Sequence, residues 1–154
     1  MNLDPAPSIA DRLNRWRSRF SISRTKSKPA HLRRGALGEK LACRFLRRRG
    51  YKILYRNFRG RRGGEIDIVC RDGDTLVFVE VKTRTGEEFG RPFESIRAEQ
   101  RERITRGGLA WLRLLDNPDI LFRFDVVEVV LGESEKPSFE LIRSAFKLPD
   151  RYIY

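Results

Sequence analysis

Inside "TLVFVEVKTR", residues 75–84, a carboxylate and an amine stand at Glu80 and Lys82, in a run that otherwise reads as a β-strand with apolar residues on both faces. Charges in a buried strand cost several kcal/mol unless they are paired, solvated or bound to something. Upstream, "EIDIVC" (65–70) reads as a second strand carrying Glu65 and Asp67, joined to the first through "RDGD". Asp72-Gly73 is a two-residue hairpin signal. With these two at the turn, Val69 faces Leu76, Asp67 faces Phe78 and Glu65 faces Glu80. Alternation then puts Glu65, Asp67, Glu80 and Lys82 on one face of the hairpin. Asp67 and Glu80 become diagonal neighbours, with Cα atoms roughly 7–8 Å apart.

Two carboxylates at that separation can reach a shared cation. The ligands on offer are hard oxygens, which suit Mg²⁺ or Mn²⁺ with several positions left to water and a substrate phosphate. Such a metal activates water and steadies charge developing on a phosphoryl oxygen. Lys82 would point into the same site, to orient the attacking water or neutralise a phosphate oxygen. Directly opposed Glu65 and Glu80 should repel, and a cation or a raised pKa would relieve that. The alternative is a surface hairpin with solvated charges in which Glu80 and Lys82 simply pair, since E-x-K on a strand arises often by chance. Against it, Val77, Val79 and Val81 ask for burial on one face, and Leu76 and Phe78 on the other. The residues alone do not choose between the two.

The elements that must carry these groups are legible from periodicity. "GALGEKLACRFLRRRG" (35–50) reads as a helix closed by Gly50. Leu37, Leu41, Ala42, Phe45 and Leu46 form its apolar arc, and Lys40, Arg44 and Arg47 gather opposite. Glu39 falls at the edge of that arc, where it can face a site the helix packs against. "YKILYRNF" (51–58) is a strand and "RGRRGG" (59–64) a basic loop. A helix spans roughly 94–115, weakened in the middle by Gly107-Gly108. "LFRFDVVEVVL" (121–131) is a further strand, and "SFELIR" (138–143) a short last one. The order α, β, β, β, α, β, with a final β, indicates an α/β or mixed fold built on one sheet. Residues 1–30 form a basic N-terminal extension ahead of a domain over 31–154. Within it Ile9, Leu13, Trp16 and Phe20 make one stripe of an amphipathic helix flanked by Arg12, Arg15 and Arg19. Docking on its own domain or partial disorder is favoured over membrane binding, and "SRTKSKPA" (23–30) has linker composition.

The 154 residues, 40% of them hydrophobic, suit one domain with a real core. A net charge of +12 favours a polyanionic partner, with nucleic acid ahead of an anionic membrane surface. Residues 33–62 hold twelve Lys/Arg against one acid, Glu39, a local +11 beside the candidate site. Arg44, Arg47, Arg48, Arg56, Arg59, Arg61 and Arg62, with Arg84, are the expected phosphate contacts. Cys43 and Cys70 have neither zinc-site nor disulfide spacing and read as buried thiols. His31 reads as solvated. No leader or membrane-length apolar run is evident, so a cytoplasmic protein without stable membrane insertion is expected.

Glu39 on the first helix, then Asp67, then Glu80-x-Lys82 follow the order of the PD-(D/E)xK nucleases. "GxxGE" (35–39), "GYKILYRN" (50–57), "GEIDIV" with "LVFVEVKTR", "RFDVVEV" (123–129) and "AF" (145–146) resemble the YraN family. These are bacterial proteins assigned a restriction-endonuclease-like fold, similar to archaeal Holliday-junction resolvases. The resemblance covers about residues 34–146. It implies an α/β core with a mixed four- or five-stranded sheet flanked by helices. It also implies Asp67 and Glu80 as metal ligands, Lys82 as the catalytic lysine and Glu39 as a further acidic site residue. Glu65 and Gln100 are accessory candidates; Gln100 stands where many relatives carry lysine, which bears on substrate positioning. The implied activity is metal-dependent hydrolysis of phosphodiesters, in branched or structured DNA before RNA. Resolvase-like relatives act as dimers, so a homodimer is admitted. The competing expectation is a nucleic-acid-binding module that keeps the fold without turnover.

Overall fold

The computed structural model describes residues 29–61, 63–85, 96–132 and 136–148. The amphipathic stripe of residues 9–20, Arg62 and most of the loop 85–92 lie outside these.

Helix α1 runs Ala30–Arg48, five residues longer at its start than the stretch 35–50. Strands β1 (Lys52–Arg59), β2 (Glu65–Asp72) and β3 (Thr75–Thr85) follow, then helix α2 (Ala98–Leu114), β4 (Phe122–Leu131) and β5 (Ser138–Phe146). The five strands form one mixed sheet in chain order. All neighbours are antiparallel except β3 and β4, which run parallel. A parallel pair needs a crossover, and α2 supplies it. The last strand extends past Arg143 to Phe146, so the sheet has five strands rather than four.

Alternation sorts the apolar residues onto two faces. Ile68, Cys70, Val77, Val79, Val127 and Val129 pack with Ala42, Cys43 and Leu46 of α1. Val69, Leu76, Phe78, Phe124 and Val126 pack with Ile104, Trp111 and Leu112 of α2. Trp111 stands edge-on to Phe58 at 5.1 Å. The β3 and β4 cores are apolar on both sides because a helix covers each face. Both cysteines are buried and free, and burial pushes the Cys70 thiol up to about 12, so it stays protonated.

The hairpin register corrects the expected one. Asp72 pairs with Thr75, Val69 with Phe78 and Ile68 with Val79, so Gly73-Asp74 is the turn, not Asp72-Gly73. Gly73 takes φ +58, the conformation a first turn residue of this kind needs. Asp72 is drawn into the ladder because its carboxylate is held by Arg123 of β4 at 2.7 Å.

Gly107-Gly108 also differs from expectation: α2 passes through both without a break. A Cβ on Gly107 would lie 2.9 Å from Ile66 Cγ1 and 3.0 Å from the Glu65 carbonyl oxygen, and one on Gly108 would meet Phe124 and Phe78. The pair is a close-approach surface, where losing helix propensity permits contact with the sheet. Gly64 sits against it, at φ +90, where a Cβ would collide with the Gly107 nitrogen. Gly64→Ala should therefore destabilise the fold by roughly 2–3 kcal/mol, from left-handed strain plus overpacking, read as a lower urea midpoint.

Candidate active site

Asp67 is aimed by a local irregularity of β2. Ile66 packs on the α2 face and Ile68 on the α1 face, although strict alternation puts both on one side. Across on β1, Arg56 pairs with Ile68 and Phe58 with Ile66, and Asn57 between them has φ +53. Irregularities of this sort re-aim a side chain. The β2–β3 ladder runs from Asp72–Thr75 to Ile68–Val79. Beyond it the Asp67 carboxylate reaches β3, where Oδ2 accepts the Val81 N–H at 2.8 Å.

Glu80 is 6% exposed, a buried carboxylate on an inner strand. Lys82 Nζ lies 3.4 Å from its Oε1, and the Gln100 amide at the start of α2 donates to the same oxygen. Burial, then the charge of Glu80, then that of Glu39, push the Asp67 carboxyl up to about 7; the Val81 N–H and Lys82 pull the other way. Glu80, Lys82 and Glu39 are thus within electrostatic reach of Asp67. Glu39 is placed by Gly38, whose absent side chain lets α1 approach β3: a Cβ there would lie 2.9 Å from Thr83 Cβ. The "GxxGE" motif is therefore a packing contact followed by a site residue. Glu39 also stands 3.7 Å from Arg56.

Glu65 does not oppose Glu80. It lies between two guanidiniums, 3.3 Å from Arg59 and 3.9 Å from Arg103 of α2. The expected Glu65–Glu80 repulsion is replaced by that of Asp67 and Glu80, the positions that follow the last ladder pair, Ile68–Val79. Arg44, Arg47, Arg48, Arg56, Arg59 and Arg61 are exposed. Arg84 differs: it is turned to a buried carboxylate, Glu128, at 3.7 Å. Glu128 pairs across the parallel ladder with Lys82 and across the β4–β5 ladder with Glu140. Burial raises its pKa, with Arg84 opposing. Glu128 was missed by sequence reasoning, although an acid inside "DVVEVV" is the same signal that drew notice to Glu80. Among the described residues no three His, Cys, Asp or Glu side chains form a cluster that could hold a metal.

The Asp67 shift fixes the sign of one pH effect. In the unfolded chain the carboxyl titrates near 4, while the folded protein keeps its proton to about 7. Between these values the unfolded state releases the proton first, so stability falls as pH rises and levels off above 7. Thermal melts in chelator should show that decline, and Asp67→Asn should flatten it.

A family model described as "Uncharacterised protein family UPF0102" matches residues 38–129, a span from Gly38 to Val129 that holds every acidic group of the site. The chain belongs to this family. A UPF0102 protein of Geobacter metallireducens is 46% identical over 114 residues, covering 74% of this chain and 92% of that protein. One of Nocardia farcinica is 46% identical over 112 residues, covering 73% and 87%. One of Symbiobacterium thermophilum is 44% identical over 112 residues, covering 73% and 94%. The YraN-like resemblance of the motifs is resemblance to UPF0102. No helix among the described residues of this UPF0102 chain is long and apolar enough to cross a membrane.

Proposed function

We propose that this UPF0102 protein hydrolyses phosphodiester bonds in nucleic acid, DNA before RNA, at Asp67, Glu80 and Lys82 with Mg²⁺ or Mn²⁺. The observation that carries the reading is the meeting of two carboxylates on adjacent inner strands, with an ammonium 3.4 Å from one of them. Burial first, and then the charge of Glu80, raises the Asp67 pKa, and a cation answers both. The donor set fits a hard divalent ion, since both donors are carboxylate oxygens and two protein ligands leave room for water and phosphate. Asp67 and Glu80 would hold the ion, which when bound supplies activated water and charge stabilisation at the phosphoryl group.

The chain's own residues do the rest. The Val81 N–H fixes one oxygen of Asp67, and the Gln100 amide fixes one oxygen of Glu80. Lys82 Nζ, held by Glu80, offers donors to the attacking water or to a phosphate oxygen. Glu39 adds negative charge from the α1 side, and exposed arginines hold the backbone. A second reading, a binding module without turnover, is favoured by one feature: Lys82 and Gln100 already satisfy Glu80 without an ion. Incubating the protein with duplex, flapped, four-way and single-stranded substrates in Mg²⁺, Mn²⁺ and EDTA tests the proposal. Divalent-dependent cutting is expected; no cutting on any substrate, with binding retained, leaves the module.

A further inference from the structure

The basic run of residues 33–62 does not form one surface. Arg44, Arg47 and Arg48 lie exposed on α1, over one face of the sheet. Gly60 and Gly64 lie against α2, over the other face. Gly64 meets the main chain at Gly107, and a Cβ on Gly60 would be 2.9 Å from Ala110 Cβ. The exposed Arg59, at the end of β1, and the exposed Arg61 flank Gly60 on this α2 side.

Helix α2 adds arginines of its own. Gln100, Arg103 and Arg106 fall at i, i+3 spacing, which makes neighbours along one ridge of a helix. Gln100 is bonded to Glu80, so the ridge passes directly by the candidate site. Arg103 and Arg106 are exposed. Glu65 stands between Arg103 and Arg59, joining the ridge to the loop. Glu99 and Glu102, each four residues before an arginine of the ridge, can pair with Arg103 and Arg106 along the helix. Such surface pairs are weak, and a phosphate offers a guanidinium two parallel hydrogen bonds in their place.

We propose that Arg59, Arg61, Arg103 and Arg106 form a second phosphate-binding track, on the α2 face, for a segment of nucleic acid separate from the one held by α1. The proposal rests on nucleic acid being the partner of the site. The sheet separates the two tracks, since α1 packs on one face and α2 on the other, and the α2 track reaches the site where Gln100 meets Glu80. A straight duplex along α1 cannot also follow α2, whereas a backbone that leaves it at the site can.

Fluorescence anisotropy of the full chain in EDTA, over a salt series, tests this with a linear duplex and a three-way junction. Each neutralised phosphate contact contributes about 0.9 to the log–log slope. R103Q/R106Q should flatten the junction slope by about 2 and leave the linear duplex nearly unchanged. R44Q/R47Q should flatten both. R103Q alone should remove about half the effect, which keeps the test open should the double variant fold poorly. An unchanged junction slope, an equal loss on both substrates, or binding to anionic vesicles without binding to either nucleic acid overturns the track. Absent Mn²⁺-dependent cleavage with the slope difference intact removes the hydrolytic reading alone.

Discussion

Lys82→Ala should lower Mn²⁺-dependent cleavage by about 10²–10³-fold, the loss typical of removing one group that stabilises charge in a transition state. It should leave the Mn²⁺-induced rise in melting temperature nearly intact, because Asp67 and Glu80 remain. Glu80→Gln should lose both, since it keeps the shape of the side chain and removes half of the anionic donor set. Stability separates this from a purely structural pair. Glu80's charge is the second-largest cause of the raised Asp67 pKa, so neutralising Glu80 relieves a repulsion in the metal-free protein. The apo melting temperature of Glu80→Gln should therefore rise or stay level. Were Glu80 and Lys82 instead a structural ion pair, breaking it would cost roughly 3–5 kcal/mol. Marked apo destabilisation by Glu80→Gln, with no Mn²⁺ shift in the parent, would sink the catalytic reading. Glu128→Gln probes the other side of Lys82. It removes the carboxylate that faces Arg84 at 3.7 Å, from the residue opposite Lys82 in the β3–β4 ladder, and leaves Asp67 and Glu80 in place.

Arg123→Met should destabilise the fold by about 3–5 kcal/mol, measured by urea unfolding, with no direct effect on the metal donors. Arg123 Nε donates to both oxygens of Asp125, at 3.0 and 3.1 Å, while its other end reaches Asp72 at 2.7 Å and the Tyr51 hydroxyl at 3.0 Å. Asp125 is 1% exposed and also accepts the Ser144 N–H, fixing the left-handed turn of β5 at Ser144, φ +49. Removing the guanidinium leaves a buried carboxylate with, among the described residues, that single N–H. The same contact holds the Asp72 carboxyl below its ordinary range, chiefly through the Arg123 hydrogen bond. For an acid so lowered, the stabilisation is complete above about pH 4 and is lost as pH falls through the folded value. Acid unfolding of Arg123→Met should accordingly begin at higher pH than in the parent. An unchanged acid midpoint would mean that Asp72 and Asp125 find other partners.

What the sequence alone determined follows from short-range rules. Period-two and period-3.6 patterns located β1 to β4 and both helices, because a strand or helix with a buried face must repeat its apolar residues at its own pitch. Glu80 and Lys82 stood out because charge amid Val77, Phe78 and Val79 has a desolvation cost wherever the strand ends up. The order Glu39, Asp67, Glu80, Lys82 carried the family. Tertiary structure decided the rest. The turn moved to Gly73-Asp74 because Asp72 is held by Arg123, fifty-one positions away in sequence. Asp67 turned toward β3 because β2 breaks its alternation beside Asn57, and no local pattern announces that. Gly107-Gly108 read as a weak point in a helix, and only contact with Glu65, Ile66, Phe78 and Phe124 shows it as a packing surface. The same contact carries the loop arginines to the face opposite α1. Counting charge along a chain sums contributions that folding then assigns to different sides of a sheet.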